Sequence, residues 1–142
     1  IYLSQIVMFF TAVLSLFPTT KEVYILIFKK SLKEIRKLTN ATLCLENLPR
    51  TCLGNTSKEL IDIVDSAEGI RVCLDTNHFL QEKTEDAILA IGKRIFTLHI
   101  SDHDYIDERH IMPKSGKIDW RHLIKLAIRE VLIMSSMLGM RM

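Results

Sequence analysis

At 142 residues, with 48% hydrophobic and 25% charged content, the chain has the length of one domain and the composition of a globular one, which argues against two independent cores and against long disordered stretches. Nineteen Lys and Arg against 17 Asp and Glu give a net charge of +2, too small an excess to point to a nucleic acid or an anionic membrane as partner. Cys44, Cys52 and Cys73 form an odd set without CxxC spacing, two of them in apolar runs where Cys behaves as a small hydrophobe, and a reducing cytoplasm fits that usage best.

Residues 1–17 (IYLSQIVMFFTAVLSLF) are mostly apolar, with Ser4, Thr11 and Ser15 on one helical stripe. The run is shorter than the roughly 20 residues of a bilayer-spanning helix and Pro18 closes it. It lacks the basic flank and small-residue cleavage site of a signal peptide, so a buried scaffold segment is the expectation for 1–18. From Lys21 to Leu38 the pattern predicts a surface helix with apolar positions at Val23, Ile27, Ile35 and Leu38, a Thr20 cap and late positive charges suited to a helix C-terminus. TLCLEN then reads as a buried strand.

After the loop 48–55, Thr56 and Glu59 have the spacing of a capping box that opens the helix ELIDIVDSA, which Gly69 stops. IRVCLD is the next buried strand. Thr84 is the expected cap of a helix reaching about Gly92, with an inner stripe of Ala87, Ile88 and Ile91, and Arg94 to Ile100 is again a strand. A polar, irregular stretch from Ser101 to Lys117 precedes a last helix, capped by Asp119 and expected to run to about Glu130. Alternating strands and helices imply right-handed crossovers and a parallel sheet.

Three apolar runs end in acid, amide or imidazole groups: LCLEN (43–47), VCLDTNH (72–78) and FTLHISDHD (96–104). Their terminal residues Glu46, Asp75 and His99 are 29 and 24 residues apart, about one strand–helix unit each, and ligands of such sheets bind beyond the carboxyl ends of the strands. Taken singly, each is as well read as a cap or turn former. Together, two carboxylates and an imidazole suit a divalent ion such as Mn²⁺, Co²⁺, Zn²⁺ or Mg²⁺. His78 shares the mouth of the second loop and reads either as a substrate contact or as a surface imidazole. Arg50 has the fork of donors that grips phosphate or carboxylate, or is simply exposed. His103, Asp104, Asp107 and His110 read as solvated loop polarity, and His122 as surface. No GxGxxG or Walker pattern makes a phosphate cradle.

LCLENLPR, CLDTNH, LHISDHD and RHIMPKSGKIDW resemble the second half of the xylose-isomerase-like TIM barrels, the superfamily of sugar-phosphate isomerases and epimerases and of zinc apurinic endonucleases, from about Lys30 to Arg129. The resemblance implies a partial (β/α)₈ barrel over 19–142, roughly strands 5–8 with their helices. It implies that Glu46, Asp75 and His99 are metal ligands, with Glu46 also serving in proton transfer. His78 would be a substrate contact or a ligand of a second metal, and His110 a ligand of a further zinc. The turn Pro113-Lys114-Ser115-Gly116 departs from the family's PGxG-like pattern by placing Lys114 where the first Gly stands. A complete barrel takes about 250 residues. The family's eighth strand brings a further metal glutamate, whereas no acid follows Glu130 here.

The function expected is that of a metal-dependent isomerase or epimerase of a sugar, sugar phosphate or polyol. The alternatives are a zinc endonuclease acting at abasic DNA and a non-catalytic remnant. Expected partners are a small sugar or sugar phosphate and a second copy of the chain that covers open sheet edges, with neither nucleic acid nor membrane.

Overall fold

A computed structural model describes residues 20–138, and the apolar segment expected at 1–18 lies outside the described residues. The elements are α1 (Lys21–Leu38), β1 (Leu43–Glu46), α2 (Ser57–Val64), β2 (Ile70–Asp75), α3 (Thr84–Ile91), a 3₁₀ turn (Gly92–Arg94), β3 (Ile95–His99) and α4 (Trp120–Leu138). The strands form one parallel sheet in the order β1-β2-β3, so each crossover helix separates spatial neighbours. This is the expected α/β architecture, one side of a TIM barrel. Among the described residues it holds three strands, and the last helix continues to Leu138 rather than stopping near Glu130.

Alternation along each strand divides the side chains between two faces. Leu43, Leu45, Ile70, Val72 and Leu74 enter the apolar core beneath the helices. Glu46, Cys73, Asp75, Thr97 and His99 are matched across the sheet by register, with Glu46 opposite Cys73, Cys73 opposite Thr97 and Asp75 opposite His99. The pairing slips by one residue between Val72 and Cys73, because Val72 faces Ile95 and Cys73 faces Thr97. Phe96 is the extra residue, and this bulge puts both Ile95 in the core and His99 beside Asp75.

The helices close the core with stripes at helical spacing. Leu60, Ile63 and Val64 of α2, Ala87, Ile88 and Ile91 of α3, and Trp120, Leu123 and Leu126 of α4 are buried. In α1 the expected stripe is corrected: Val23 and Leu38 are 40% and 85% exposed, whereas Leu32 is buried and Ile25, Phe28 and Ile35 pack against the core. Both sets keep a helical period, the positions 25, 28, 32 and 35 within an arc of about 80° and 23, 27, 35 and 38 within about 120°, and packing selects the first.

Two of the caps differ from expectation. Thr20 stands at the N-cap of α1 without a side-chain cap bond. Lys83, not Thr84, is the N-cap of α3; Thr84 is the first helical residue and its hydroxyl donates to the Thr76 carbonyl at 3.1 Å. Thr56 caps α2 by accepting the Glu59 N–H at 3.3 Å, but the Glu59 carboxylate takes the Gly54 N–H at 2.6 Å instead of closing the box. Asp119 accepts the His122 N–H at 3.1 Å as expected. No helix of the described residues is long and apolar enough to cross a membrane, and all three cysteines are free.

Candidate functional site

The carboxyl ends of the three strands bring Glu46, Asp75 and His99 together. His99 Nδ1 lies 3.1 Å from Glu46 Oε1 and 3.9 Å from Asp75 Oδ2. His78, one turn beyond β2, adds a second imidazole, with Nδ1 3.9 Å from Glu46 Oε1 and Nε2 3.9 Å from Asp75 Oδ2. Ligand atoms of Glu46, Asp75 and His78 all fall within 4.8 Å of one another. The side chains of Asp75 and His78 are 8% and 12% exposed and that of His99 is 55% exposed, so the cluster opens to solvent on the β3 side.

Asn47 fixes this geometry, and sequence reasoning did not single it out. Its buried amide accepts the Asp75 N–H at 2.7 Å and donates to the Asp75 carbonyl at 2.9 Å, tying the end of β1 to the end of β2 at two points. Its own carbonyl lies 2.8 Å from His78 Nδ1. A carbonyl only accepts, so Nδ1 turns a hydrogen toward it and Nε2 faces Asp75 and the mouth. The signal available was an Asn directly after a strand-end acid, a position where an amide can span two backbones.

Thr76 joins β2 to the loop after β3, donating to the Ser101 carbonyl at 2.7 Å and accepting the Ser101 N–H at 3.0 Å. Asn77 accepts the His110 N–H at 3.2 Å, which holds the His110 ring 5.6 Å from that of His78, edge to face. His110 therefore reaches the rim of the cluster, with a left-handed φ of 46°. Arg50, also left-handed at φ 58°, donates Nε–H to Glu108 at 2.7 Å and pairs with Asp107 through its terminal nitrogen, bridging the loops after β1 and β3.

The reading of the 101–117 loop as solvated polarity is corrected at His103, which is fully buried with both ring nitrogens lacking partners among the described residues. Burial pushes its imidazole below the usual value against the raising effect of Asp102 and other acids, so it is neutral near pH 7. The loop is folded inward because Asp102 and Ile111 exchange backbone hydrogen bonds at 2.8 and 3.2 Å. Asp104 turns the chain by accepting the Asp107 and Ile106 N–H groups. These bonds, with Arg109, outweigh its loss of solvent and hold its carboxyl at about 2.

Cys73 also faces the cluster, its sulfur 3.5 Å from His99 Nε2. Burial first, then the charges of Glu46, Cys44 and Asp75, push its thiol up to about 12. The donor chemistry of the whole group fits a divalent cation. Glu46 and Asp75 form ion pairs only with His78 and His99 among the described residues, so no Lys or Arg offsets two converging carboxylates.

The model of the xylose isomerase-like TIM barrel family matches residues 5–130. Among solved structures, the crystal structure of a D-tagatose 3-epimerase-like protein superposes with a TM-score of 0.61 at 20% identity, covering 70% of this chain and 40% of its own. This chain thus spans less than half the length of that structure, and the likeness is one of fold. No curated protein matches the sequence.

Proposed function

The chain belongs to the xylose isomerase-like TIM-barrel family, and on that footing we propose that it serves a metal-dependent isomerase or epimerase acting on a sugar, sugar phosphate or polyol. The observation that carries this reading is the meeting of Glu46, Asp75 and His99 at the strand ends, with His99 Nδ1 3.1 and 3.9 Å from the two carboxylates. These residues would hold the ion, whether Mn²⁺, Co²⁺, Zn²⁺ or Mg²⁺. Such a cation polarises a carbonyl or hydroxyl oxygen and acidifies the adjacent C–H.

Glu46 takes and returns the proton of that carbon, a role general acid–base groups fill with roughly 10²–10⁴-fold effect. His78, oriented by the Asn47 carbonyl, offers Nε2 to a substrate hydroxyl. Arg50 exchanges its Asp107 and Glu108 partners for a substrate phosphate or carboxylate at the rim. A cytoplasmic setting fits the three free thiols. Among the described residues β1 and β3 are the edges of the sheet, which fits pairing with a second copy of the chain, and sedimentation at micromolar concentration would show it as a dimer.

The test is solvent exchange. Ketoses and ketose phosphates incubated in D₂O with Mn²⁺ and the protein take up deuterium beside the carbonyl, and Glu46→Gln slows this by about 10²-fold or more. A second reading, hydrolysis at abasic DNA, is favoured by one feature, the His110 ring beside His78, which adds an imidazole for a further zinc. Cleavage of an abasic duplex with no deuterium uptake would replace the isomerase reading by this one. Neither activity, together with no Mn²⁺ binding, would mark the chain as a non-catalytic remnant.

A further inference from the structure

We propose that Cys73 is itself a metal ligand, and that Glu46, Cys73 and His99 form a sulfur-bearing set that lets this centre take thiophilic divalent ions such as Zn²⁺ and Cd²⁺. The inference rests on the reading that the strand-end cluster holds a cation, and adds to it a donor of a different chemical class. Cys73 stands opposite Glu46 in the β1–β2 register and opposite Thr97 in the β2–β3 register, two residues before Asp75 on the same face. It is 7% exposed, yet it does not join the apolar core cluster formed by its neighbours Val72 and Leu74. Its thiol instead meets an imidazole.

The distances suit coordination. One ligand atom from each of Glu46, Cys73 and His99 lies within 4.8 Å of the other two. Bonds of about 2.0–2.3 Å to zinc place neighbouring ligands of a tetrahedral shell roughly 3.3–3.8 Å apart. The sulfur is 3.5 Å from His99 Nε2, inside that range, whereas the 3.1 Å contact of Glu46 Oε1 is to the other ring nitrogen, Nδ1, so Glu46 joins the sulfur set by turning its carboxylate toward the Nε2 side. The imidazole therefore stands between two sets: its Nδ1 edge faces the carboxylates of Glu46 and Asp75, and its Nε2 edge faces the sulfur. Hard ions such as Mg²⁺ and Mn²⁺ settle on the carboxylate edge, whereas softer ions draw in the sulfur. On binding, Cys73 gives its proton to solvent and ligates as the thiolate, with no change in oxidation state.

Cobalt(II) titration of the whole chain tests this, because a thiolate ligand gives a sulfur-to-cobalt charge-transfer absorption that oxygen and nitrogen ligands do not. The band is expected in the wild type and in the Cys44→Ser/Cys52→Ser double variant, which keeps Cys73 in place, and is expected to vanish in Cys73→Ser. Cys73→Ser should also weaken Zn²⁺ and Cd²⁺ binding by at least about tenfold, the scale on which even indirect contacts to a metal act, and leave Mn²⁺ affinity unchanged. If Co²⁺ binds with only visible ligand-field bands and no charge-transfer band in the double variant, Cys73 is not a ligand and the carboxylate centre stands without it. If neither Co²⁺ nor Mn²⁺ binds, this inference and the metal-centre reading fall together.

Discussion

Asp102 organises the loop that comes after β3. Its carboxylate accepts the Trp120 indole N–H at 2.6 Å, the Lys114 N–H at 2.9 Å, the His103 N–H at 2.8 Å and the Ile118 N–H at 3.2 Å. Burial pushes this carboxyl up, but the indole and the backbone N–H groups together outweigh it and hold the group below the usual carboxylate range. A depressed pKa stabilises the fold above the unfolded value of about 3.9 and ceases to as pH falls through the folded value. Asp102→Asn is therefore expected to cost about 2–3 kcal/mol at pH 7, with the gap to wild type closing below about pH 4. Urea unfolding followed by fluorescence of Trp120, the single tryptophan, measures both. Lys114 adopts φ 74°, a left-handed conformation that glycine takes without strain and a side-chain-bearing residue does not. Lys114→Gly should raise stability by about 0.5–1 kcal/mol, the left-handed penalty less the entropy of glycine, read in the same titration. Glu46, Asp75 and His99 were legible in the sequence because each ends an apolar run. Asp102 and His103 were not, since a buried acid and a buried imidazole inside a polar stretch look like solvated loop until their partners are placed. Trp120 held the only hint, because a buried indole N–H requires an acceptor.

Among the elements, α2 was legible from the Thr56–Glu59 spacing and the Gly69 stop, and α3 from its stripe of Ala87, Ile88 and Ile91, which is buried. Helix α1 was not. It carries apolar residues around much of its circumference, including Leu26 at 69% exposure, so several stripes could be drawn and only packing selects Ile25, Phe28, Leu32 and Ile35. The consequence is measurable: Leu32→Ala should cost about 2–4 kcal/mol, and Val23→Ala less than about 0.5 kcal/mol, in parallel denaturation curves. Equal losses would restore the stripe through Val23. The bulge at Phe96 was equally invisible, since a one-residue slip in a parallel pair leaves the hydrophobic pattern of β3 intact while rotating its end. That slip carries His99 onto the face of Asp75, so the site depends on a feature of pairing and not of sequence period.

At the scale of the molecule, the helices cover one face of the sheet, and among the described residues nothing seals the outer side of β3. The helices seal Val72, Leu74 and Ile88 completely, whereas Phe96 and Ile100 remain 56% and 55% exposed at β3. The covered face supplies the rigidity that positions the strand ends, and the site sits where that face's order ends and the loops begin. The family was legible because four motifs recur in barrel order. The clamp by Asn47, the orientation of His78 by the Asn47 carbonyl and the approach of Cys73 to His99 required the three strands to be laid side by side. If Glu46, Asp75 and His99 hold one divalent cation between them, calorimetric titration of Mn²⁺ into the wild type and into Asp75→Asn separates the two proteins. One ion bound per chain, with affinity reduced about 100-fold or more by Asp75→Asn, is the predicted result. Equal affinity in the two proteins, or no binding by the wild type, would contradict it.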